Sequence, residues 1–406
     1  MALPWFAIND RPPYINRIHY LALAWNSDIS KTLATIYTVF WPLISTIVVA
    51  RTTRVYASYV ARQYRISCWR QLMDQIFLVN RYNIAPTSYY KFKLFLDENR
   101  SKALQFVQHH EICTLLPGLN KNLDIQKLDD KVQFFENVSR HGLPTPTVIA
   151  TFERGSLLRW YEGRMGQLPR EDLVIKPSNL DCGAGVQRWH YDPETEHWSR
   201  NQHSLSAQEL ILACQTLARD NRYIVQRYIP NHREIRPLAG KGVCTVRAVT
   251  YRQQREPPHL LLACFRMPRG NSFVDTFAAG GIASPVHPVD GTLGPAVAKD
   301  IRCGVLHRHP DNAFPITGRQ LPYWNETIEL ATVAHRCFPA FAFIGWDIVI
   351  TDTGPMLLEA NPTWCVDLCQ MPHGIALGET AFPEVFLEHL RLNYDRWPAT
   401  LEWTRV

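Results

Sequence analysis

The stretch GWDIVITDTGPMLLEANPTW, Gly345–Trp364, holds two apolar runs separated by the short polar segment DTG. Asp347 and Val349 alternate with Ile348 and Ile350, the period-two pattern of a strand. Asp352, Thr353 and Gly354 fit a three-residue hairpin loop with Gly354 in the left-handed position. In that register Asp347 lies opposite Glu359, and Asn361 shares the face of Glu359. Facing carboxylates repel. They become favourable with a cation between them, and an Asp/Glu/Asn oxygen set suits Mg²⁺. The alternative is an exposed hairpin with incidental charges.

Upstream, EDLVIKPSNLDCGAGV (171–186) reads as a short strand, Leu173–Ile175, ended by Lys176 and followed by a loop with Gly183 and Gly185. Glycines let backbone N–H groups approach a phosphate, and a lysine neutralises it. The pattern is no Walker A loop, because its lysine precedes the glycines. A plain turn is the competing reading. Before it, LDDKVQFFENVSRHGLP predicts a helix capped by Asp129 or Asp130, with Val132, Phe135 and Val138 inward and Gly142 at its end. Lys131 sits in the first turn, where a cation opposes the helix dipole. That hints at an anionic partner, against the plain alternative of a surface lysine.

After a helix near Ser206–Ala218, Tyr223–Tyr228 reads as a strand. Gly240 and Gly242 are expected to turn a hairpin into Val243–Tyr251. Arg247 stands mid-strand among apolar neighbours and needs an anion. Arg266 and Arg269 end the next strand. The Gly/Pro-rich stretch 271–295 is long enough to be functional, and the substrate pockets are expected from the loops Arg269–Pro295 and Arg302–Thr317.

The chain has 406 residues, 46% apolar and 20% charged, with a net charge of +6. That composition is globular and predicts two or three domains. The mild positive charge permits anionic partners without demanding nucleic acid, whose recognition motifs are absent. Ten scattered cysteines without a CxxC suit a reducing, cytoplasmic setting.

Residues 1–115 look helical. Thr32 to Ala50 is uncharged and long enough to span a bilayer on length alone. Thr35, Thr38, Pro42 and Ser45 nevertheless form a weakly polar stripe, and Pro42 is expected to kink the helix. Arg51, Arg54, Arg62 and Arg65 follow on one face, with Ser58 filling the series and no acid between Arg51 and Arg70. Such a pair of segments, residues 31–70, suits peripheral contact with an anionic membrane surface, leaving the body on the cytoplasmic side. The alternative is a helical region packed on the body with its arginines solvated.

SYYKFKLF, LDDK, VIKPSNLDCGAGV, VQRYIPNH, TVRAVTY, VDTFAAGGIA and GWDIVITDTGPMLLEANP occur in this order. The order resembles the ATP-grasp superfamily from about Leu123 to Leu390, most closely its sugar-transfer-associated branch. The resemblance implies an α+β protein: a helical N-terminal region, then two α+β subdomains gripping ATP between antiparallel sheets. Its boundaries would be 1–115 a helical region, membrane-facing in one of the two readings above, 116–170 a linking helix and the start of the grasp, 171–230 a small lid with the glycine loop, 231–395 a large subdomain with the metal site, and 396–406 a tail. It also implies ATP and Mg²⁺ as cofactors. Lys131 and Lys176 would hold phosphates, and Gly183 and Gly185 would belong to the lid over them. Gln226, Arg227, Tyr228 and Ile229 would form the adenine hinge, with the backbone of the last three making its hydrogen bonds. Gln226 stands where many relatives have Glu. Glu234 is the candidate ribose ligand, with its neighbour Arg233 the alternative. Asp347, Glu359 and Asn361 would bind the metal, while Arg247 and Arg266 would lie near the transferred phosphate or the acceptor.

The implied activity is carboxylate–amine ligation through an acylphosphate, on a glycan precursor or another small metabolite. A kinase acting on a hydroxyl and a non-catalytic, membrane-peripheral nucleotide-binding protein are the alternatives. The sequence leaves the oligomeric state open.

Overall fold

The computed structural model describes residues 15, 18, 19, 21, 22, 31–180, 183–254 and 256–393. The expected tail at 396–406, most of residues 1–30, and Asp181 and Cys182 of the glycine loop lie outside them.

The N-terminal part is a helical hairpin. Helix α1 (Lys31–Tyr64) runs through Pro42 without interruption, and α2 (Cys68–Tyr82) folds back along it. Ser67 caps α2 by accepting from the Arg70 N–H at 3.2 Å, and Asn83 ends it in the left-handed conformation. The side-chain amides of Gln71 and Gln75 donate to the Ala57 carbonyl and the Thr53 hydroxyl at 3.2 and 2.9 Å, fixing the antiparallel pairing. Arg65 falls just beyond the end of α1, with φ of 58°. Val60, with Tyr56 and Tyr59, packs onto Tyr89, Tyr90 and Phe95, and through them onto Cys264, Phe277 and Leu368 of the body. The SYYKFKLF segment is therefore the glue between the hairpin and the body. No helix among the described residues is long and apolar enough to cross a membrane.

Two seven-stranded antiparallel sheets follow. The first holds β1 (Val148–Glu153), β2 (Ser156–Trp160), β3 (Leu173–Pro177), β4 (Gln187–Asp192), β5 (His197–Arg200), β6 (His203–Leu205) and β7 (Tyr223–Arg227), in the order β2-β1-β7-β3-β4-β5-β6. The helix Ala207–Leu217 packs on it, opened by a reciprocal capping box between Ser206 and Glu209. Because β1 pairs with β7, the expected boundary at 170/171 cuts through this sheet.

The second sheet holds β8 (Thr245–Tyr251), β9 (His259–Met267), β10 (Ile282–Pro285), β11 (Ala296–Ala298), β12 (Val305–Leu306), β13 (Phe343–Thr351) and β14 (Gly354–Asn361), ordered β12-β11-β10-β9-β8-β13-β14. One face carries Val246, Ala248, Trp346, Ile348 and Ile350 into the largest core, together with Leu330, Ala331 and Ala334 of the helix Trp324–Arg336 and Phe134 and Val138 of the helix Lys131–Arg140. Phe134, rather than the expected Phe135, is the fully buried aromatic of that second helix.

Two local expectations change. Strands β7 and β8 belong to different sheets, so no hairpin joins them; Arg236–Ala239 forms a helical turn and Gly240 ends it. The β13–β14 hairpin turns over two residues, because Thr351 pairs with Gly354. Asp347 nevertheless faces Glu359, since a β-bulge inserts Leu358 between Ile348↔Leu357 and Asp347↔Glu359. The bulge lets two consecutive residues, Leu358 and Glu359, both line the cleft between the sheets.

Candidate functional site

A row of charge crosses the second sheet. Cys264, Arg247, Asp347 and Glu359 stand on four adjacent strands as successive cross-strand partners. Such partners sit about 5 Å apart, so each side chain acts directly on the next. Asp347 is 1% exposed. A carboxylate buried that deeply must be paired, and Arg247 supplies the pair: its Nε donates to Oδ1 at 2.5 Å and its Nη2 to Oδ2 at 3.1 Å. Arg266 donates to the same Oδ2 at 2.9 Å. Burial opposes ionisation of Asp347, but Arg247 and then Arg266 hold it well below the usual carboxylate range. Burial also disfavours the Arg247 charge, and Asp347 more than offsets this. The anion that Arg247 needs is therefore internal to the sheet.

Glu359 has no such support. Burial and the neighbouring Asp347 push its carboxyl upward, and Lys131 and Lys176 offset this only in part. The Lys131 ammonium is 3.7 Å from Glu359 Oε2 and donates to the Leu180 carbonyl at 3.0 Å. Its helix is aimed by Asp130, which caps the Val132 and Gln133 N–H groups at 3.0 and 2.9 Å and accepts from the Ser178 hydroxyl. Arg222 approaches the same Asp130 carboxylate at 3.8 Å. These contacts tie the start of the helix to the edge of β3. Lys176 enters from β3 itself. Burial pulls its ammonium down to about 8, with Glu359 acting in the opposite sense and Lys131 adding to the fall.

These groups line one cavity of about 550 Å³ between the two sheets. Gln226, Arg227, Tyr228 and Ile229 are on its wall, as are Gly183, Arg247, Arg266, Asp347, Glu359 and Asn361. Gln226 is buried, its amide donating to the Pro146 carbonyl at 3.2 Å. The Arg227 side chain turns away to Glu162 and Glu171. The Tyr228 N–H is already given to the Asp172 carbonyl at 2.9 Å, so it is not free for a ring, contrary to expectation. Gly183 and Gly185 have φ of +73° and +74°, where a side chain would be strained. At Gly183 a Cβ would also stand 2.7 Å from Val274, so the glycine loop touches the long loop of the second sheet. Gly185 packs on Pro177 and Tyr223 and is not part of the wall. Glu234 is exposed and also lies away from the cavity, so the structure does not bring the expected ribose ligand to the site.

Three groups escaped the sequence reading. Thr245 accepts from Arg266 Nε and Nη2 at 2.9 and 2.7 Å and donates to Asp275 at 2.5 Å. Asp275, buried and 3.2 Å from Arg266, belongs to VDTFAAGGIA; a lone acid in an otherwise small and apolar loop was the available signal. Arg188 lies 3.7 Å over the Tyr228 ring and is held by Asp172 at 2.8 Å. Arg188 lies outside every quoted stretch.

Among the described residues no cluster of three or more histidine, cysteine, aspartate or glutamate ligands occurs. A metal at this place would therefore draw on Asn361 beside the two acids. The Asn361 amide nitrogen donates to the Gly345 carbonyl at 3.4 Å, leaving its oxygen to the cleft. Two carboxylates side by side, one raised by the other, with an amide oxygen next to them, fit a hard divalent cation. Glu359 is the open member, because both Asp347 oxygens already accept from guanidinium groups.

Two antiparallel sheets closing on a cleft that gathers lysines from one side and an Asp/Glu pair from the other define the ATP-grasp fold. The chain belongs to the sugar-transfer associated ATP-grasp family, whose model matches residues 113–382. Among solved structures it is similar to a D-alanine–D-alanine ligase from Bacillus anthracis at 15% identity, covering 69% of this chain and 70% of that one with a TM-score of 0.37. An L-amino acid ligase from Bacillus licheniformis is 14% identical, with 68% and 53% of the two chains covered and a TM-score of 0.35. The ATP-grasp ligase PsnB, solved with minimal precursor, Mg and ADP, is 10% identical over 74% and 72%, with a TM-score of 0.35. No curated protein matches the chain by sequence.

Proposed function

We propose that this chain is an ATP-dependent ligase that activates a carboxylate as its acylphosphate and passes the acyl group to an amine. The observation that carries the reading is the convergence of Lys131, Lys176 and Glu359. They come from a helix, the first sheet and the second sheet, and meet beside the buried Asp347.

ATP would enter with its base between Val174 and Leu358, its edge along Gln226 to Ile229, and its phosphates on the two lysines. Asp347, Glu359 and Asn361 would hold Mg²⁺, which when bound supplies charge neutralisation at the phosphates. A carboxylate alone is a poor acyl donor because oxide is a bad leaving group. Its oxygen bonds to the γ-phosphorus, and the bond from phosphorus to the bridging oxygen breaks, with ADP taking the electron pair. The amine then adds to the acyl carbon, phosphate departs, and the nitrogen loses a proton. Such chemistry needs positioning and electrostatics rather than a covalent nucleophile. Lys131 and Lys176 bear on the phosphates. Arg247 and Arg266 keep Asp347 ionised and fixed. The family's sugar-transfer association favours a glycan precursor as the molecule modified, with another small metabolite the alternative.

The test is ADP release from the purified protein with paired acids and amines. Release that requires both supports the ligase. A stable phosphorylated product formed without an amine overturns it in favour of a kinase.

We also infer that the helical hairpin meets an anionic membrane surface. Phe40, Leu43 and Ile47 are exposed at spacings of three and four, and the same face continues through Arg51, Arg54, Ser58 and Arg62, all exposed. Apolar residues followed by arginines on one open face match the chemistry of a lipid boundary.

A further inference from the structure

A second cavity, of about 330 Å³, adjoins the cleft, and the two share Phe277, Ala278 and Lys299 on their walls. It is closed by parts of the chain that the nucleotide site does not use. Tyr56 of α1, and Tyr90 and Lys91 from the segment that glues the hairpin to the body, face Arg269 and Lys299 of the second sheet's loops.

Its charge is one-sided. Lys91, Arg269 and Lys299 line it against a single acid, Asp300, and that acid is occupied by Arg302 Nη2 at 2.6 Å. Lys91 is balanced by the buried Asp367 at 2.5 Å. Among the described residues neither Arg269 nor Lys299 has a carboxylate at ion-pair distance, and the Arg269 Nη1 reaches only the weakly accepting Cys303 thiol at 3.6 Å. Asp300 acts on Arg269 only without direct contact, so the cations of this concave site outnumber its acids, which favours an oxyanion. The Tyr56 ring, tilted 36° to Tyr90 with centroids 5.0 Å apart, and the buried Tyr90 and Phe277 make the rest of the wall aromatic.

We propose that this cavity binds the carboxylate substrate, a small molecule whose anionic group is held by Arg269 and Lys299 and whose body lies against Tyr56. The assignment of the oxyanion as the carboxylate to be activated rests on the ligase reading. Because Phe277, Ala278 and Lys299 line both cavities, an anion held at Lys299 borders the nucleotide cleft. Tyr56 also gives the helical hairpin a direct part in substrate binding.

The probe is pyridoxal 5′-phosphate, a small aromatic anion whose aldehyde condenses with an unprotonated lysine amine and is fixed by borohydride reduction. Labelling is carried out on the full chain with saturating ADP and Mg²⁺ to occupy the cleft, and labelled lysines are mapped by mass spectrometry. The expected result is saturable labelling at Lys299. Arg269→Ala should raise the half-saturating concentration about tenfold, the loss of one charge-assisted hydrogen bond. Glucuronate should protect where glucose does not. Unsaturable labelling spread over surface lysines, or protection by neither or both sugars, overturns the proposal. Protection by inorganic phosphate alone overturns the carboxylate assignment in favour of a phosphorylated ligand. Calorimetric ADP binding by wild type and Arg269→Ala is measured in parallel. Absence of ADP binding in both sinks the nucleotide reading, a failure distinct from loss of labelling at Lys299.

Discussion

Asp347 and Glu359 face each other across β13 and β14, yet only Asp347 is backed by arginines. The pair thus divides into a carboxylate held ionised and a carboxyl pushed upward by burial and by its neighbour. A divalent cation that binds here must displace any proton on Glu359. Mn²⁺ affinity, followed by electron paramagnetic resonance, should therefore fall as pH drops through the raised range of Glu359. Glu359→Gln should weaken Mn²⁺ at neutral pH by about tenfold or more and flatten that dependence. Unchanged Mn²⁺ binding in the variant would remove Glu359 from the metal site.

Lys176 gives a second pH signature. Its ammonium sits at about 8 in the free protein because burial disfavours the charge. A bound polyphosphate favours the charged form, so binding takes up a proton above that pH. Nucleotide affinity should be level below about pH 8 and weaken above it, by up to about tenfold per pH unit. Lys176→Arg should abolish the slope, because guanidinium stays charged. Lys176→Met should weaken ADP about 10- to 100-fold at pH 7, as measured by calorimetry. A wild-type affinity that stays level to pH 10 contradicts the assignment.

What could be read from the sequence follows from what is local. The hairpin around Asp347 and Glu359, the cap at Asp130 and the glycine loop rest on spacing and turn chemistry, which a short window contains. Even there, the facing of Asp347 and Glu359 came out through a bulge and a two-residue turn that alternation alone does not reveal. The partner of Arg247 was invisible because strand order is non-local: β13 lies beside β8 although about a hundred residues separate Arg247 from Asp347. Glu234 is exposed and off the cleft, a placement that a short window of sequence does not reveal. The pairing of Lys91 with Asp367 spans 276 residues and is equally out of reach of a short window.

The Arg247–Asp347 pair makes a stability prediction. Asp347→Ala strips buried Arg247 of its hydrogen-bonded counterion, which should cost about 3–5 kcal/mol in denaturant unfolding. Removing both charges with Arg247→Met and Asp347→Leu should recover most of that loss. The folded carboxyl is depressed, so its contribution is complete above the ordinary aspartate range and lost as pH falls below it. The gap between wild type and Asp347→Ala should therefore persist from pH 7 to about pH 4 and narrow only in stronger acid. A double variant as unstable as the single one would mean that the packing of these side chains, not their charge, dominates.

The helical hairpin makes the last prediction. Phe40, Leu43 and Ile47 are 54%, 62% and 59% exposed, too open to serve the core of the body. Burying three such side chains at a lipid boundary is worth several kcal/mol, and each nearby arginine adds about 1 kcal/mol on an anionic surface. Full-length protein should sediment with vesicles containing phosphatidylserine and much less with pure phosphatidylcholine. Replacing Phe40, Leu43 and Ile47 with Ser should abolish sedimentation on either. Arg51→Glu with Arg54→Glu should remove only the preference for the anionic vesicles. Circular dichroism and ADP binding serve as controls, because none of these five side chains lines the nucleotide cleft. Equal sedimentation of wild type and the triple serine variant would assign this face to another partner.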